Sequence, residues 1–170
     1  MQRPDSTEYA AYYGKYIELV PETDIVAALA AQLEDVFPFL RGIPEAQGNV
    51  RHPPYTWSIK EVVGHLADCE RIFGYRALRF ARGDATPLPS FDENAYARAA
   101  DSDRRPLADL VAEFEAIRRS HVLMFRNLPD AAWGRSGEAN NNRVTVRAAA
   151  FILVGHTRHH TAILRKRLAA

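Results

Sequence analysis

The C-terminal part of the sequence carries the strongest folding signal. Residues of one face recur there at alternating spacings of three and four, at Val146, Ala149, Leu153, His156, His160, Ile163 and Arg167. This spacing predicts an α-helix whose seam packs against other helices, with Thr145 as its N-cap. Because the seam must be covered by partner helices, a helical bundle is the expected architecture.

Two further segments show the same helical periodicity. Apolar residues at three-to-four spacing follow Val20 and continue to about Gly42, which predicts a first helix with Thr23 or Asp24 as its N-cap. A second such pattern predicts a helix from about Pro106 to Asn127.

The segment after Trp57 has a complete helix-start signal. Ser58 is a typical N-cap, and Glu61, three residues later, can close a capping box. Trp57 can pack onto Val62 as a hydrophobic staple. These signals agree, so we expect a helix that starts at Ser58 and ends near Gly83.

The chain is therefore predicted to be all-α, as a four-helix bundle in a single domain over residues 1–170 with its core at about 20–168. A long connection between Asp84 and Arg105 permits a crossover between the second and third helices, with a short helix near Asp92. We expect no strand-rich segment, and a polar loop before the last helix.

Charge and cysteine content narrow the function classes. The formal net charge of +1 offers no field for attracting nucleic acid, so we expect no nucleic-acid partner. The single cysteine, Cys69, excludes an intramolecular disulfide and fits a cytoplasmic protein. The longest apolar run, Ala148 to Val154, is far shorter than the roughly 20 residues of a membrane span, so we expect no membrane association.

Three histidines lie on predicted apolar faces. His156 and His160, four residues apart, share one helix face, and His65 lies beside Cys69 on the apolar face of the second bundle helix. A single histidine in such a position is most often a structural core residue. Three unsatisfied rings in one core would cost about 1–3 kcal/mol each, so one shared metal ion is the better explanation.

Other residues near these histidines have simpler interpretations. His159 turns off the seam, His121 has no companion at ligand spacing, and His52 lies in a loop, although His52 could reach the mouth of the site. Cys69 could complete a closed four-ligand zinc site but is more often a small buried residue. Asp68 could support an imidazole, although a solvated position is the better expectation.

The spacing of His156 and His160 resembles that of the zinc-peptidase helix, in which a glutamate follows the first histidine. Thr157 occupies that position here. A peptidase of that type would lack its general base.

As a set, these motifs resemble the DinB-like (DinB/YfiT) superfamily of metal-binding four-helix bundles. The matching segments are Trp57-Ser-x-x-Glu61-Val-x-x-His65-Leu-x-Asp68-x-Glu70, Pro87-Leu-Pro-Ser-Phe-Asp92 and His156-x-x-His159-His160. The resemblance covers about residues 20 to 168. It implies a bundle with a long crossover between helices two and three, often a homodimer, and a divalent metal held by His65, His156 and His160.

The same resemblance implies a range of activities. The superfamily includes thiol S-transferases that use bacillithiol or mycothiol and a mycothiol-dependent maleylpyruvate isomerase, and many members have no established activity. The leading hypothesis is a thiol S-transferase acting on small electrophilic substrates, with a metal-bound thiolate or water as the catalytic group. The alternatives are a metal-dependent hydrolase and a non-catalytic metal-binding or dimerisation module.

The metal is expected to be zinc or nickel, with iron or manganese as further candidates. A low-molecular-weight thiol would be the second cofactor. The sequence leaves the substrate open.

Overall fold

The computed structural model describes residues 2–84 and 86–169. Its helices are α1 (Gly14–Ile17), α2 (Ile25–Arg41), α3 (Ile59–Ala81), α4 (Glu93–Ala100), α5 (Leu107–Arg126) and α6 (Val146–Leu168), and its strands are β1 (Ser136–Ala139) and β2 (Asn142–Thr145). The long helices α2, α3, α5 and α6 form the bundle. The predicted all-α, four-helix-bundle fold is confirmed.

The direction of the helices explains the long crossover. One apolar cluster joins the beginnings of α2 and α6 to the ends of α3 and α5, and a second cluster joins the opposite ends of all four helices. Neighbouring helices α3 and α5 therefore run in the same direction. The chain between them must return along the whole bundle, and it does so through α4 and a short 3-10 turn, Ser102–Arg104.

Helix starts follow the local signals in the sequence. The Ser58 hydroxyl accepts a hydrogen bond from the Glu61 backbone N–H at 3.0 Å, and the Glu61 carboxylate accepts one from the Ser58 N–H at 2.7 Å. The side chains of Asp24, Asp92 and Thr145 also accept backbone N–H groups, at the starts of α2, α4 and α6. Each cap satisfies N–H groups that have no partner inside the helix.

The polar segment before α6 contains a feature that the sequence interpretation missed. Strands β1 and β2 pair as an antiparallel hairpin, and Asn140 and Asn141 form its two-residue turn with φ angles of 53° and 58°. Asparagine tolerates this left-handed conformation, which the tight turn requires at both positions. Leu88 of the crossover hydrogen-bonds to Glu138 and Asn140, so the hairpin holds the crossover in place.

The N-terminal residues also pack onto the bundle. Tyr16, Ile17 and Val20 are buried, and α1 lies against α6. A β-carbon at Gly155 would collide with the backbone carbonyl of Tyr16, so this glycine allows the close approach. Ala10, Tyr12, Tyr13 and Tyr16 of this segment form one wall of a cavity that opens beside α6.

A layer of buried polar side chains separates the two apolar clusters. Each bundle helix contributes one residue to this layer: Gln32, Glu70, Arg118 and Thr157. Arg118 is fully buried and donates two hydrogen bonds to the Glu70 carboxylate, at 2.7 and 2.8 Å, one to the Thr157 hydroxyl at 2.9 Å and one to the Gln32 side-chain oxygen. These contacts compensate the buried charges.

Within the described part of the chain, no helix combines the length and hydropathy of a membrane-spanning segment.

Candidate metal centre

The antiparallel neighbours α3 and α6 bring the three predicted histidines together. The ring centroid of His65 lies 5.0 Å from that of His156 and 5.0 Å from that of His160. The rings of His156 and His160, one helical turn apart, lie 4.5 Å from each other. Histidines separated by about ninety residues in the sequence thus form one cluster because two helices cross at this point.

The ring nitrogens have a spacing suited to a shared ion. His65 Nε2 and His156 Nε2 lie 3.1 Å apart. Two nitrogen ligands of a tetrahedral zinc ion, each at about 2.0–2.1 Å from the metal, lie roughly 3.3 Å apart. The donor set, with only imidazole and thiol groups, fits zinc or a similar transition metal and does not fit magnesium or calcium.

Cys69 lies closer to the cluster than a purely structural core residue would need to. Its Sγ is 3.6 Å from His65 Nε2, and ligand atoms of His65, Cys69 and His156 all lie within 4.8 Å of one another. His160 joins the cluster through its ring, 5.0 Å from that of His65 and 4.5 Å from that of His156, although its nitrogens lie outside that 4.8 Å group. The structure therefore presents two possible third donors, the Cys69 thiol and the His160 imidazole.

Burial keeps the three imidazoles neutral. It lowers the pKa of His65 to about 4. Burial, together with the neighbouring His65 and His159, lowers the pKa of His160 to about 3, and burial followed by the charge of His160 places the pKa of His156 well below its usual range. Neutral imidazoles have the lone pair that a metal ion requires.

The same burial acts on Cys69 in the opposite direction. It raises the pKa of the thiol far above its ordinary value, with a smaller contribution from Asp68. Without a cation, Cys69 is therefore a neutral thiol and a poor nucleophile.

The remaining candidate residues lie around the cluster. His159 stacks edge-on against His160, with ring centroids 5.1 Å apart, and is half-buried. His121 Nδ1 lies 3.0 Å from the Glu70 carboxylate and belongs to the polar layer. His52 is in the loop before α3, outside the residues that line the cavity, and Asp68 pairs with Arg71 at 3.7 Å.

A cavity of about 440 Å³ opens beside the histidines, a size suited to a small organic molecule. It is bounded by α3, α6, the crossover, the hairpin and the N-terminal segment, and its walls are largely aromatic: Tyr12, Tyr13, Tyr16, Trp57, Phe73 and Phe91. Trp57 contacts His65 and Tyr16 contacts His156, with centroid distances of 4.8 and 5.2 Å. These contacts hold two of the imidazoles in position.

Sequence reasoning missed two groups of cavity residues. The N-terminal tyrosines have no periodicity that would place them, because only their packing onto α6 brings them to the site. Arg76 had a recognisable signal, since it continues the α3 face of His65, Cys69 and Phe73 at helical spacing, where an apolar residue is expected.

The family model of the DinB superfamily matches residues 28–164, which include α3, α5, most of α2 and α6, and the three histidines. The chain belongs to the DinB superfamily. The resemblance inferred from the histidine motifs is thus confirmed.

One protein sequence and two solved structures are similar to this DinB-superfamily chain. A Geobacillus kaustophilus (strain HTA426) protein, GK0616, named provisionally as a metal-dependent hydrolase, is 24% identical over 149 residues, covering 84% of this chain and 83% of its own length. The structure of YfiT from Bacillus subtilis, described provisionally as a metal-dependent hydrolase with an unusual four-helix-bundle topology, is 19% identical with a TM-score of 0.71 over 98% of this chain and 91% of its own.

A mycothiol-dependent maleylpyruvate isomerase has the same fold. It is 12% identical with a TM-score of 0.71, and the match covers 86% of this chain and 61% of the isomerase chain. At these identities the two solved structures establish the shared architecture, and their reactions are properties of those proteins.

Proposed function

We propose that this protein is a metal-dependent thiol S-transferase acting on small electrophiles, with His65, His156 and His160 as the ligands of one divalent transition metal. The observation that supports it most is the neutral histidine cluster on the wall of an aromatic cavity in which Glu93 is the single acidic lining residue.

The choice of a thiol nucleophile follows from how few carboxylates near the histidines could act as a general base. When bound, a divalent metal deprotonates a coordinated thiol and lowers the pKa of a coordinated water to about 7. Of the two carboxylates next to Cys69 in the sequence, Glu70 is held by Arg118 and His121 and so is not free to accept a proton from a substrate, and Asp68 pairs with Arg71. A thiol is the nucleophile that depends least on a protein base.

The chain's own residues would bind and position the second reactant. Tyr13, Phe73 and Phe91 offer apolar and aromatic surface for an unsaturated or aromatic electrophile. Tyr16 and Trp57 limit the access of water to the imidazoles that they contact.

A metal-dependent hydrolase is the second candidate. The provisional names of the Geobacillus protein and of YfiT support it, and the same histidine cluster could serve a water nucleophile. The two candidates differ in whether a thiol is consumed.

The test measures both reactions on zinc- and nickel-loaded protein. We expect conjugation of chlorobimane with a low-molecular-weight thiol, and no hydrolysis of ester or amide substrates when thiol is absent. Hydrolysis without thiol would replace the first candidate by the second. Absence of both activities would contradict an enzymatic role.

The ligand set is tested with two matched variants. We expect His160→Ala to lower metal affinity by about 100-fold or more and to abolish turnover, because one of three ligands is lost. Cys69→Ala should retain one equivalent of metal per chain. Elemental analysis measures the metal content of both variants, and competition with a chelator measures their metal affinity. If Cys69→Ala loses the metal and His160→Ala keeps it, Cys69 is the third ligand.

A further inference from the structure

Arg76 lines the cavity on the same face of α3 as His65, the α3 member of the histidine cluster. It follows His65 by eleven residues, with Cys69 and Phe73 between them at helical spacing, and it lines the cavity with them. The side chain is 96% buried, since only 4% of the residue's surface is exposed. Its guanidinium carbon lies 5.3 Å from the Phe73 ring centroid and 6.0 Å from that of Phe91, so the charge is held between two aromatic rings.

Among the residues that the structure describes, this buried charge has no carboxylate within ion-pair distance. Arg76 Nη2 donates one hydrogen bond to the Pro89 carbonyl at 2.8 Å, and none of the ion pairs formed by residues 2–84 and 86–169 includes Arg76. Arg118, which is equally buried, has two hydrogen bonds to Glu70. Arginine is seldom buried without a paired anion, and a guanidinium has five N–H donors. The Tyr13 hydroxyl is a further hydrogen-bonding neighbour of the guanidinium, and the donors that these contacts leave unused are available to a ligand in the cavity.

We propose that Arg76 binds the carboxylate of a small-molecule ligand whose other end reaches the histidine cluster. A planar guanidinium is suited to a carboxylate because it can donate two parallel hydrogen bonds. The aromatic surfaces on either side favour a ligand with one negative charge and an unsaturated or aromatic body. Assigning this carboxylate to a reactant rests on the proposed function, whereas the binding of the anion does not.

The dimensions of the cavity agree with a ligand that spans both groups. Eleven residues of helix place the Cα atoms of His65 and Arg76 about 16 Å apart. Helical side chains point towards the helix N-terminus, and the position of the Arg76 guanidinium over Phe73, three residues earlier, shows this direction. The distance that remains between the guanidinium and the histidine rings suits a small molecule that fits the cavity of about 440 Å³.

Glu93 of α4 places a carboxylate on the wall of this cavity, and its charge acts on Cys69. It is exposed, and it lines the cavity on the same side as Ser90 and Phe91. Its carboxylate opposes the entry of a dianion such as phosphate more strongly than that of a monocarboxylate, because the repulsion scales with ligand charge. Removing its charge should therefore strengthen the binding of a monoanion.

Binding of benzoate to the metal-free protein, with benzamide as the neutral analogue, tests Arg76 apart from catalysis. By calorimetry we expect wild type to prefer benzoate, Arg76→Gln to bind benzoate at least about tenfold more weakly with benzamide unchanged, and Glu93→Gln to bind benzoate more tightly. Arg82→Gln, an exposed arginine at the end of the same helix, is the matched control and should bind like wild type.

Two results would overturn the proposal: no preference of wild type for benzoate, or undiminished benzoate binding by Arg76→Gln. The second is the outcome if Arg76 only anchors the crossover through Pro89. Circular dichroism checks the fold of Arg76→Gln. If that variant is unfolded, the Glu93→Gln effect and a weaker benzoate preference in Arg76→Lys decide the question, because lysine keeps the charge but lacks the two-pronged donor.

The carboxylate could come from the electrophile or from the thiol. Binding of mercaptopropionate and mercaptopropionamide to the zinc-loaded protein is compared with the benzoate and benzamide pair. The pair whose carboxylate preference falls more in Arg76→Gln identifies the source. If zinc-loaded protein shows no turnover with any thiol, the proposed function fails, while the benzoate measurements still report on Arg76.

Discussion

At the scale of single residues, the site is defined by ionisable groups that burial keeps neutral. His65 and His156 are each 8% exposed, and no carboxylate belongs to their cluster in the part of the chain that the structure describes. An imidazolium there would lack both water and a counter-charge. A metal cation can bind where a proton does not, because several neutral imidazole nitrogens coordinate the one ion together, whereas a proton charges a single ring.

The first prediction concerns the stability of the metal-free protein against pH. The folded pKa values of His65, about 4, and of His160, about 3, lie below the usual value of about 6.5 that applies when the chain is unfolded. The unfolded state therefore binds more protons, and the free energy of unfolding should fall as the pH drops below about 6.5, by up to about 1.4 kcal/mol per pH unit for each histidine.

Urea unfolding at pH 7 and pH 5 measures this effect. The variant His65→Leu should show a smaller difference between the two pH values than wild type, since one titrating group is removed. Equal differences in the two proteins would show that His65 is not a buried neutral imidazole.

At the scale of helices and segments, packing depends on contacts between elements that no local pattern encodes. The buried layer takes one polar side chain from each of four helices, and Arg118 is its centre. The N-terminal segment is held by Gly155 of α6 and by Glu8, whose carboxylate accepts hydrogen bonds from Thr145 and Arg147. Both features position residues next to the histidine cluster.

The second prediction concerns this polar layer. Arg118→Met should lower the free energy of unfolding by about 3–5 kcal/mol, because Glu70 would remain buried without its counter-charge. The double variant Arg118→Met with Glu70→Met should recover a large part of that loss, since no charge is then stranded. Denaturant titration of the wild type and both variants measures the difference, and a double variant no more stable than the single one would contradict it.

The third prediction concerns the attachment of the N-terminal segment. Gly155→Ala should destabilise the protein by about 1–3 kcal/mol, because the new methyl group overlaps the Tyr16 backbone. Hydrogen exchange at the amides of Leu19 and Val20, which bond to the carbonyls of Tyr16 and Ile17, should become faster. Gly134→Ala is the control, since a β-carbon there meets open space. Unchanged exchange in Gly155→Ala would show that the segment is held elsewhere.

At the scale of the whole molecule, the order and direction of the helices create the site. The second and third bundle helices are parallel neighbours, so the crossover must pass along the bundle and can cover the cavity. Helices α3 and α6 are antiparallel neighbours, so the first turns of α3 meet the middle of α6 at the histidines. A metal bound between them would couple two helices that are far apart in the sequence.

The fourth prediction follows from that coupling. Zinc or nickel should raise the melting temperature, because a ligand that binds the folded state alone stabilises it, by about 2.7 kcal/mol at a free concentration of one hundred times Kd. His160→Ala should lose most of the increase. Differential scanning calorimetry with and without a chelator measures this increase. A wild-type melting temperature that does not change with metal would contradict the metal centre.

The sequence by itself determined the helices and their starts. The Ser58 and Glu61 capping box, the Thr145 cap and the three-to-four apolar spacing depend on atoms within a few residues of one another, so they can be read locally. The histidine spacing on α6 is of the same kind. The hairpin was not predicted, because its four-residue strands are too short to show a clear alternation of apolar and polar residues. The Asn140 and Asn141 turn was nevertheless a usable signal.

Only the tertiary structure decided which helices are neighbours and in which direction they run. That arrangement brought His65 to His156 and His160, gave Arg118 its Glu70 partner and placed Tyr16 against His156. It also left Arg76 without an ion-pair partner in the described part of the chain. These relations join residues distant in the chain through packing of whole faces. Their energies depend on burial and on neighbouring charges, which exist only after the bundle has formed.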